Sequence, residues 1–481
     1  MISSFRHTNQ SPAFIAWSTY EKLLIICLGL LLWFVVMYRA YHLSMTHDEA
    51  GTTDHLLQSF YQILNSREAF HSANNHILNS WLMKWSASVF GVYEWSLRLP
   101  NVLAFALYYL AGIGVIRQLS LPQKWRFMGL AFFILHPFVL DFFSLCRGYG
   151  LAMAFQMLSL FFTLKYIRER KILNLHASVL ACGLAVLSNM TWVYFLLAQM
   201  AWIIFDQGLT FLKKQKLAGW RAIPSWLIFA CILGLVYRPY QWIQANGELK
   251  WGANGWFDLQ HTFAKDYLYN DTFLTAVIFQ ILCLIIFVLF FQQCYGYFRK
   301  KENSIQAEQS FLILILLLGL TTLAILNRNL NNTTYASGRR ALMYFPLVAL
   351  MFILFLSNFS LKRIRSWIGV LLFSVLIFSW AGFRLNAVRE WSYDSATKSV
   401  FEHIRNNTER ESKIAVDWQF LPVMKFYARY RDSTVQVSLF EKNSSCEEVN
   451  WFYLYDGNIP PSPDWQLIRE YEWGQKLFQR K

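Results

Sequence analysis

Long apolar stretches without Asp, Glu, Lys or Arg recur along most of this chain. A helix needs about 20 mostly apolar residues to cross the hydrocarbon core of a bilayer, with a range of roughly 17–25. Uncharged runs occupy 23–38, 99–116, 127–140, 148–164, 172–205, 222–237, 272–298, 309–327, 341–361 and 366–383. The run 172–205 is interrupted by Leu187-Ser188-Asn189-Met190-Thr191, which favours two spans joined by a tight turn. The pattern therefore predicts an all-α polytopic membrane protein with eleven transmembrane helices.

The segment 39–98, between the first two spans, is too long for a simple connector. Apolar residues recur at i, i+3 and i+4 over 54–64 and again over 77–90. This spacing predicts two amphipathic helices that lie along the membrane interface.

After residue 383 the chain becomes polar and its periodicity changes. Helical spacing over 391–411 is followed by a predicted strand at 413–418, a helix at 419–431 and strands at 434–439 and 450–455, with a fourth strand near 465–471. These elements predict a small α/β domain over 384–481. The domain division is then 1–22 as the N-terminal segment, 23–383 as the transmembrane domain and 384–481 as the C-terminal domain.

Basic residues concentrate in the loops that follow even-numbered spans, at 117–126, 165–171, 213–221, 299–301 and 362–365. Lys and Arg near span ends are retained on the cytoplasmic side. We therefore expect the N-terminus in the cytoplasm. The loops 39–98 and 238–271 and the C-terminal domain are expected on the external face of the cytoplasmic membrane.

The net charge of +15 lies entirely before residue 384, because residues 384–481 contain 14 acids and 14 bases. Membrane topology accounts for that excess, so we expect no nucleic-acid partner. The seven cysteines show no metal-ligand spacing, and five of them fall within predicted spans.

Two adjacent acids, Asp48 and Glu49, lie ten residues beyond the run 23–38. That position places carboxylates in water at a membrane surface, where acid/base chemistry on a lipid-linked substrate is feasible. We interpret Asp48 as a general base, and Glu49 as a group that orients it, holds an acceptor or binds a cation. Neighbouring acids also raise each other's proton affinity. The alternative is that both acids solvate the loop or cap the next helix.

Other charged residues near span ends are candidates for substrate binding. Arg339 and Arg340 directly precede a span, where they either clamp a lipid phosphate or extend to the headgroup region. His76 is a candidate phosphate or acceptor contact, or else a helix cap. His47 beside the dyad suggests a metal, but no second His follows at ligand spacing, so no tightly held transition metal is expected. A divalent cation remains open as a cofactor.

Five groups of residues appear in a fixed order and topological placement. They are Asp48-Glu49, Asn74-Asn75-His76, Ser96-Leu97-Arg98-Leu99-Pro100, His136-Pro137-Phe138 with Asp141 and Arg147-Gly148-Tyr149, and Gly338-Arg339-Arg340-Ala341 with Pro346. In these motifs residues 20–350 resemble the glycosyltransferase-C superfamily. The resemblance is greatest to bacterial proteins that are protein O-mannosyltransferase-like (glycosyltransferase family 39-like) or lipid A aminoarabinose transferase-like.

The resemblance implies transfer of one sugar from a polyprenyl-phosphate donor to a lipid, glycan or protein acceptor on the outer face of the cytoplasmic membrane. It also implies that Asp141 is a second acid facing the site and that Arg147 contacts phosphate or sugar. A mutual Asp141–Arg147 salt bridge is the structural alternative, since ionisable groups at this depth are costly unless paired. Tyr149 either stacks on a sugar or anchors the membrane interface.

Two other classes compete with the enzyme. A transporter predicts acids or broken helices at the bilayer midplane and two related halves, whereas here the acids lie in loops and no repeat is visible. A non-catalytic protein of envelope assembly would tolerate the loss of Asp48.

Overall fold

The computed structural model describes residues 17–65, 74–119, 121–212, 219–248, 252–300, 304–359, 361–407, 411–441, 449–460 and 462–481. Most of the N-terminal segment 1–22, and parts of the basic loops at 213–218 and 301–303, lie outside these residues.

The first span and the loop after it hold four helices. They are α1 (Thr19–His42), α2 (His47–Thr52), α3 (Phe60–Asn65) and α4 (Ile77–Phe90). Helix α4 has the predicted bounds, but the single helix expected over 54–64 is wrong. A 3₁₀ turn at Thr53–Leu57 precedes α3 there. Ser59 and Gln62 exchange backbone-to-side-chain hydrogen bonds of 2.7 and 3.2 Å, a capping box that starts a new helix.

The remaining helices of the bundle follow the predicted spans. They are α5 (Glu94–Gln118), α6 (Gln123–Ile134), α7 (Pro137–Phe143), α8 (Gly148–Glu169), α9 (Ile172–Ser188), α10 (Val193–Leu212), α11 (Ile223–Ala245), α12 (Trp256–Leu268), α13 (Phe273–Arg299), α14 (Ile305–Asn331), α15 (Tyr344–Asn358) and α16 (Lys362–Ser379). Among these, only α12 was not expected as a helix.

Within the described residues, eight helices are long and apolar enough to cross a membrane, and the bent pair α6–α7 would be a ninth. Helices α9 and α15 are apolar but shorter, with 17 and 15 residues. The predicted architecture, a helical membrane protein with a small C-terminal α/β region, is confirmed. The count of eleven spans stays a prediction.

The third predicted span is bent by 51° between α6 and α7. Pro137 begins α7 and has no N–H to donate to the carbonyl of Phe133, so the helix cannot continue unbroken. The Tyr108 hydroxyl donates to that carbonyl at 3.0 Å, and Trp380 Nε1 donates to the Leu135 carbonyl at 2.7 Å. Side chains from two other helical segments therefore satisfy the carbonyls that the bend leaves open.

Helix α8 packs most extensively against α5 and α9. Its first residue, Gly148, permits this contact next to the loop that carries Asn74 and His76. A Cβ at Gly148 would lie 1.8 Å from the Ser188 carbonyl oxygen and 2.8 Å from His76 Cβ. The Arg147-Gly148-Tyr149 motif therefore needs glycine because of close packing.

The C-terminal region contains α17 (Thr397–Asn406), α18 (Leu421–Tyr430) and a five-stranded sheet. Its strands are β1 (Ser412–Val416), β2 (Val435–Leu439), β3 (Trp451–Leu454), β4 (Trp465–Glu470) and β5 (Lys476–Arg480). The strand order is β2-β1-β3-β5-β4, with β1 parallel to β2 and β3, and β5 antiparallel to β3 and β4. The sequence predicted four of these strands and missed β5.

One hydrophobic core joins the C-terminal region to the loop that carries the dyad. Met45, Ala50 and Met83 pack in the same cluster as Val400, Phe420, Val423 and Tyr427. Ion pairs add to the contact, because Arg431 and Lys398 both bind Glu94. The segments predicted to share the external face are therefore in contact with one another.

Candidate functional site

Asp48 lies in the first turn of α2, a short helix that begins at the N-cap residue Thr46. Its carboxylate is only 13% exposed, and its Oδ2 atom accepts a hydrogen bond of 2.7 Å from Arg339 Nη2. Arg147 Nη2 lies 3.3 Å from the same oxygen. Asp48 thus sits between two guanidinium groups contributed by distant parts of the chain.

These two arginines determine the proton affinity of Asp48. Burial alone would raise the pKa of its carboxyl group, but the charges of Arg147 and Arg339 outweigh burial and hold the pKa below its usual range. Asp48 is therefore ionised at neutral pH. The net shift is opposite in direction to the rise in proton affinity expected from the neighbouring acid Glu49.

Glu49 points away from Asp48 into the protein, where it is fully buried. Its two oxygens accept from Arg98 Nε at 2.9 Å and Arg98 Nη2 at 2.7 Å. The backbone N–H groups of Cys146 and Thr46 donate to it at 2.7 and 3.0 Å. The Thr46–Glu49 pair is a capping box, so for Glu49 the capping interpretation is correct. Of the three roles proposed for it, this geometry fits orientation of α2.

Arg147 precedes α8 and has one percent of its side chain exposed. Besides Asp48, it donates to Thr52 Oγ1 and to Asn74 Oδ1, both at 3.0 Å. Asp141, on α7, instead pairs with Arg39 at 2.6 Å and accepts a 2.8 Å hydrogen bond from the Tyr269 hydroxyl. The alternative of an Asp141–Arg147 salt bridge is therefore wrong. Asp141, predicted as a second acid facing the site, lies instead in a neighbouring buried cluster.

Arg339 is held from two sides. Its backbone N–H and its Nη1 donate to the two carboxylate oxygens of Glu390 at 2.9 and 2.8 Å. Its guanidinium lies over the ring of Trp391, 4.7 Å from the centroid. Arg339 therefore reaches inward to Asp48 and does not extend toward a lipid headgroup region.

Arg340 differs from its neighbour, because no carboxylate among the described residues lies within 4.0 Å of its guanidinium. Burial and the adjacent Arg339 charge lower the pKa of Arg340. The guanidinium packs against Gly252, where a Cβ would lie 2.4 Å from Arg340 Nη2. The residue next to Gly252, Ala253, forms an isolated antiparallel bridge with Tyr335. A half-buried cation without an acidic partner is suited to receive an anion.

His76 and Tyr149 form the buried floor beside these arginines. Their rings meet edge to face with centroids 5.3 Å apart. Burial, with the charges of Arg147 and Arg339, lowers the pKa of His76 well below its usual range, so the imidazole is neutral. Its Nε2 atom has no hydrogen-bond partner in the described part of the chain. The Arg147 guanidinium lies over the Tyr149 ring, 5.9 Å from its centroid.

The C-terminal region fixes the residue before the dyad. The His47 backbone N–H donates to Asp394 Oδ2 at 2.6 Å, and His47 Nδ1 lies 2.8 Å from the Gln419 carbonyl oxygen. The side chains of His47, Asp48 and Glu49 therefore diverge to three different partners. Across the described ranges, no three His, Cys, Asp or Glu side chains are grouped to hold a metal ion.

Of the eight predicted site residues, the structure brings Asp48, Arg147, Arg339, Arg340, His76 and Tyr149 together, whereas Glu49 pairs with Arg98 and Asp141 with Arg39. The roles of Arg98 and Glu390 were not predicted from the sequence. Arg98 had a usable signal, since a charge just inside an apolar span requires a buried partner. Glu390 had none, because it lies in a polar segment among many other charges.

The resemblance to the glycosyltransferase-C superfamily is confirmed by a family model, and the fold by similarity to solved structures. Residues 74–234 match the model of the dolichyl-phosphate-mannose-protein mannosyltransferase family. No curated protein matches the chain in sequence.

Two crystal structures of ArnT from Cupriavidus metallidurans are similar in fold. The apo structure superposes with a TM-score of 0.55 at 11% identity, covering 95% of this chain and 97% of ArnT. The structure with undecaprenyl phosphate bound gives 0.52 at 12% identity, covering 96% and 98%. At this identity the comparison establishes the fold alone.

Proposed function

We propose that the protein is a glycosyltransferase of the cytoplasmic membrane that transfers one sugar from a polyprenyl-phosphate donor to a hydroxyl group of a lipid, glycan or protein acceptor. The observation that carries this proposal is the ionised Asp48 carboxylate between the guanidinium groups of Arg147 and Arg339. Next to Arg339 lies Arg340, which has no carboxylate within 4.0 Å among the described residues. The family match and the undecaprenyl phosphate bound by ArnT support a prenyl-phosphate donor.

In this mechanism the acceptor oxygen attacks the anomeric carbon while the bond from that carbon to the phosphate oxygen breaks. Asp48 takes the proton of the acceptor hydroxyl, and polyprenyl phosphate leaves with the bonding electron pair. A single displacement of this kind inverts the anomeric configuration. Retention of configuration in the product would instead indicate a covalent intermediate, and would contradict Asp48 as a base.

The low pKa of Asp48 in the free protein fits this role once a donor binds. A phosphate that pairs with Arg340 and competes for Arg147 or Arg339 adds negative charge beside Asp48 and weakens the interactions that favour its ionised form. The proton affinity of Asp48 then rises when the acceptor is also in place. Without substrate, the low pKa thus keeps Asp48 ionised. With substrate bound, the higher pKa makes Asp48 a stronger base.

The first experiment reconstitutes the purified protein in liposomes with a panel of polyprenyl-phosphate sugars and measures release of the carrier. Asp48→Asn should reduce transfer by a factor of about 10²–10⁴ while donor binding persists. Asp54→Asn is the matched control, since Asp54 lies in the same loop but pairs with Arg429. A fully active Asp48→Asn protein would overturn the assignment and make Asp141 the next candidate.

The same liposomes separate the enzyme from the alternatives. A transporter would move the intact donor between leaflets without cleaving the sugar–phosphate bond, and an assembly protein would do neither. The bent α6–α7 pair and the buried Arg39–Asp141 ion pair are features that transporters share. However, Arg39 lies in the last turn of α1 and also binds the Ala387 carbonyl, which places the pair at a helix end.

Donor binding is tested at Arg340. Arg340→Ala should weaken binding, and Arg340→Lys should recover only part of it because the forked geometry is lost. The exposed Arg384 serves as the control for loss of a positive charge. Arg339→Ala should chiefly impair transfer, since Arg339 holds Asp48. Unchanged donor affinity in both alanine variants would contradict the proposal that Arg339 and Arg340 bind the donor phosphate.

The orientation is tested with reporters. A reporter placed after residue 384 should lie outside the cytoplasm, and one within 299–308 should lie inside. Cytoplasmic labelling of the C-terminal region would contradict the external site, because that region packs on the dyad.

A further inference from the structure

A cavity of about 490 Å³ opens between α5 and α8, far from Asp48. Both helices run from the candidate site toward it. Lys165 follows Arg147 by 18 residues, which is about 27 Å along a helix. By the alternation of basic loops, this end of the bundle is the cytoplasmic one.

The cavity has an apolar part and a charged part. Leu110, Ile113 and Phe161 line the first, and Arg117, Lys165 and Glu169 line the second. Gly114 shapes the apolar wall, since a Cβ there would lie 2.6 Å from the Phe161 ring. The opening is apolar toward the middle of the two spans and charged at its rim, near their ends. A lipid has the same order, with apolar chains inside the bilayer and a charged headgroup at its surface.

The charge at the rim is net positive, with Arg117 and Lys165 against the single acid Glu169. Among the residues that the structure describes, neither Arg117 nor Lys165 forms an ion pair within 4.0 Å. Glu169, which carries the only opposing charge in the lining, binds Lys171 at 3.1 Å. At the same end of the bundle, Arg170 is neutralised by both Asp206 and Glu308. Arg117 therefore has no acidic partner within 4.0 Å among the described residues, and Lys165 shares the charge of Glu169 with Lys171.

A side-chain-to-backbone contact joins the two helices that carry these cations. Arg168 donates from Nη1 to the carbonyl oxygens of Arg117 and Gln118, at 3.3 Å each, and so ties the end of α5 to α8. The cavity therefore lies beside a closely packed α5–α8 contact.

We propose that this cavity binds an anionic phospholipid of the cytoplasmic leaflet. Its phosphate would pair with Arg117 and Lys165, and an acyl chain would lie along Leu110, Ile113 and Phe161. Basic pockets between transmembrane helices on the cytoplasmic side recognise anionic headgroups in this way. The proposal rests on the predicted orientation and is independent of the chemistry at Asp48.

The test is native mass spectrometry of the full-length, delipidated protein titrated with phosphatidylglycerol or phosphatidylcholine. The wild-type protein should bind one phosphatidylglycerol more tightly than phosphatidylcholine. The double variant Arg117→Gln/Lys165→Gln should weaken that binding roughly 30-fold. Each basic group near an anionic membrane surface contributes about 1 kcal/mol of binding free energy, and the loss of two such groups corresponds to about this change in affinity. The matched control Arg299→Gln/Lys300→Gln removes two cations from the same predicted face and should bind as the wild type does.

Two further measurements keep the proposal falsifiable. Ile113→Trp fills the apolar part without changing charge, so it should displace the lipid while Arg117 and Lys165 remain. Soluble glycerol phosphate should not compete; displacement by it would show a free-phosphate site and overturn the lipid assignment. Equal phosphatidylglycerol affinity in the Arg117/Lys165 variant and the wild type would also overturn it. Asp48→Asn should bind the lipid normally, which separates this result from the proposed function.

Discussion

Substitutions of the adjacent acids Asp48 and Glu49 should have different effects. Glu49→Gln is the more informative of the two, because it tests whether Glu49 acts in the structure or in the chemistry. The Glu49 and Arg98 side chains are both fully buried and 2.7 Å apart. The substitution keeps the shape of the side chain but removes its charge. The new amide would retain one oxygen acceptor, whereas Arg98, Cys146 and Thr46 together direct four hydrogen bonds at the carboxylate.

The expected loss of stability in Glu49→Gln follows from the Arg98 charge that remains buried. Removing one partner of a buried ion pair leaves the other charge uncompensated, which costs about 3–5 kcal/mol. Arg98 keeps hydrogen bonds to the carbonyl oxygens of Ala40, Leu43 and Ser44, so the lower half of this range is appropriate. We expect Glu49→Gln to lower Tm clearly, and to lower transfer mainly by reducing the amount of folded protein.

The assay is thermal unfolding of the detergent-solubilised protein, followed by tryptophan fluorescence, together with transfer per folded molecule. Arg98→Met alone and combined with Glu49→Gln completes a double-mutant cycle, and the double variant should lose less than the sum of the single losses. Glu402→Gln, which changes an exposed acid, is the control. An unchanged Tm with abolished transfer in Glu49→Gln would refute the structural role and place Glu49 in the chemistry.

The pH dependence has a definite sign. Burial would raise the pKa of Glu49, but Arg98 and the hydrogen bonds outweigh it and lower the pKa. A carboxyl group with a lowered folded-state pKa stabilises the protein above its unfolded pKa of about 4.3, and that stability is lost as the pH falls through the folded value. The wild-type and Glu49→Gln proteins should therefore converge in Tm under acid conditions.

Three further substitutions test the surroundings of the site. Gly148→Ala, whose Cβ would lie 1.8 Å from the last carbonyl oxygen of α9, should reduce folded yield and Tm. The loss in free energy of unfolding should be at the upper end of the roughly 1–3 kcal/mol typical of overpacking. Gly296→Ala is the control, because its Cβ would enter open space. Gly252→Ala should displace Arg340 and weaken donor binding, measured by donor titration; it should also lower Tm, because the added Cβ would lie 2.2 Å from the Tyr335 carbonyl oxygen. Burial raises the pKa of Asp266 to about 8, so the folded protein loses stability as the pH rises from about 4 to 8 and this carboxyl group ionises first in the unfolded chain. Asp266→Asn should therefore raise Tm at pH 8 more than at pH 5. An equal shift in Tm at both pH values would contradict this.

The spans and the α/β character of the C-terminal region could be predicted from sequence because each depends on a local periodicity. The bend at Pro137 and the division of the 54–64 helix at Ser59 were also encoded locally, by a proline and a capping box. They were missed because both interrupt an otherwise continuous apolar pattern. Strand β5 escaped for a different reason, since its five residues are bounded by Lys476 and Arg480 and show little alternation.

The pairing of charges could not be predicted in the same way. Asp141 and Arg147 are six residues apart, so a local salt bridge was one of the two interpretations of this pair. Each instead pairs with a residue about a hundred positions away, Asp141 with Arg39 and Arg147 with Asp48. Sequence proximity predicts ion pairs only within one regular helix, and the bend and turn between these two residues remove that regularity.

The division of labour within the dyad follows from helix geometry. Successive residues on a helix point about 100° apart, so in the first turn of α2 one acid faces the arginines of the site and the next faces the protein interior. The interior acid binds Arg98 at the start of the second span, and the C-terminal region holds the preceding residue, His47, through Asp394 and Gln419. The position of Asp48 is thus set by the transmembrane bundle below it and the α/β region above it. A truncation after residue 383 should therefore remove more than an accessory domain, because it also removes one side of the support for the proposed base.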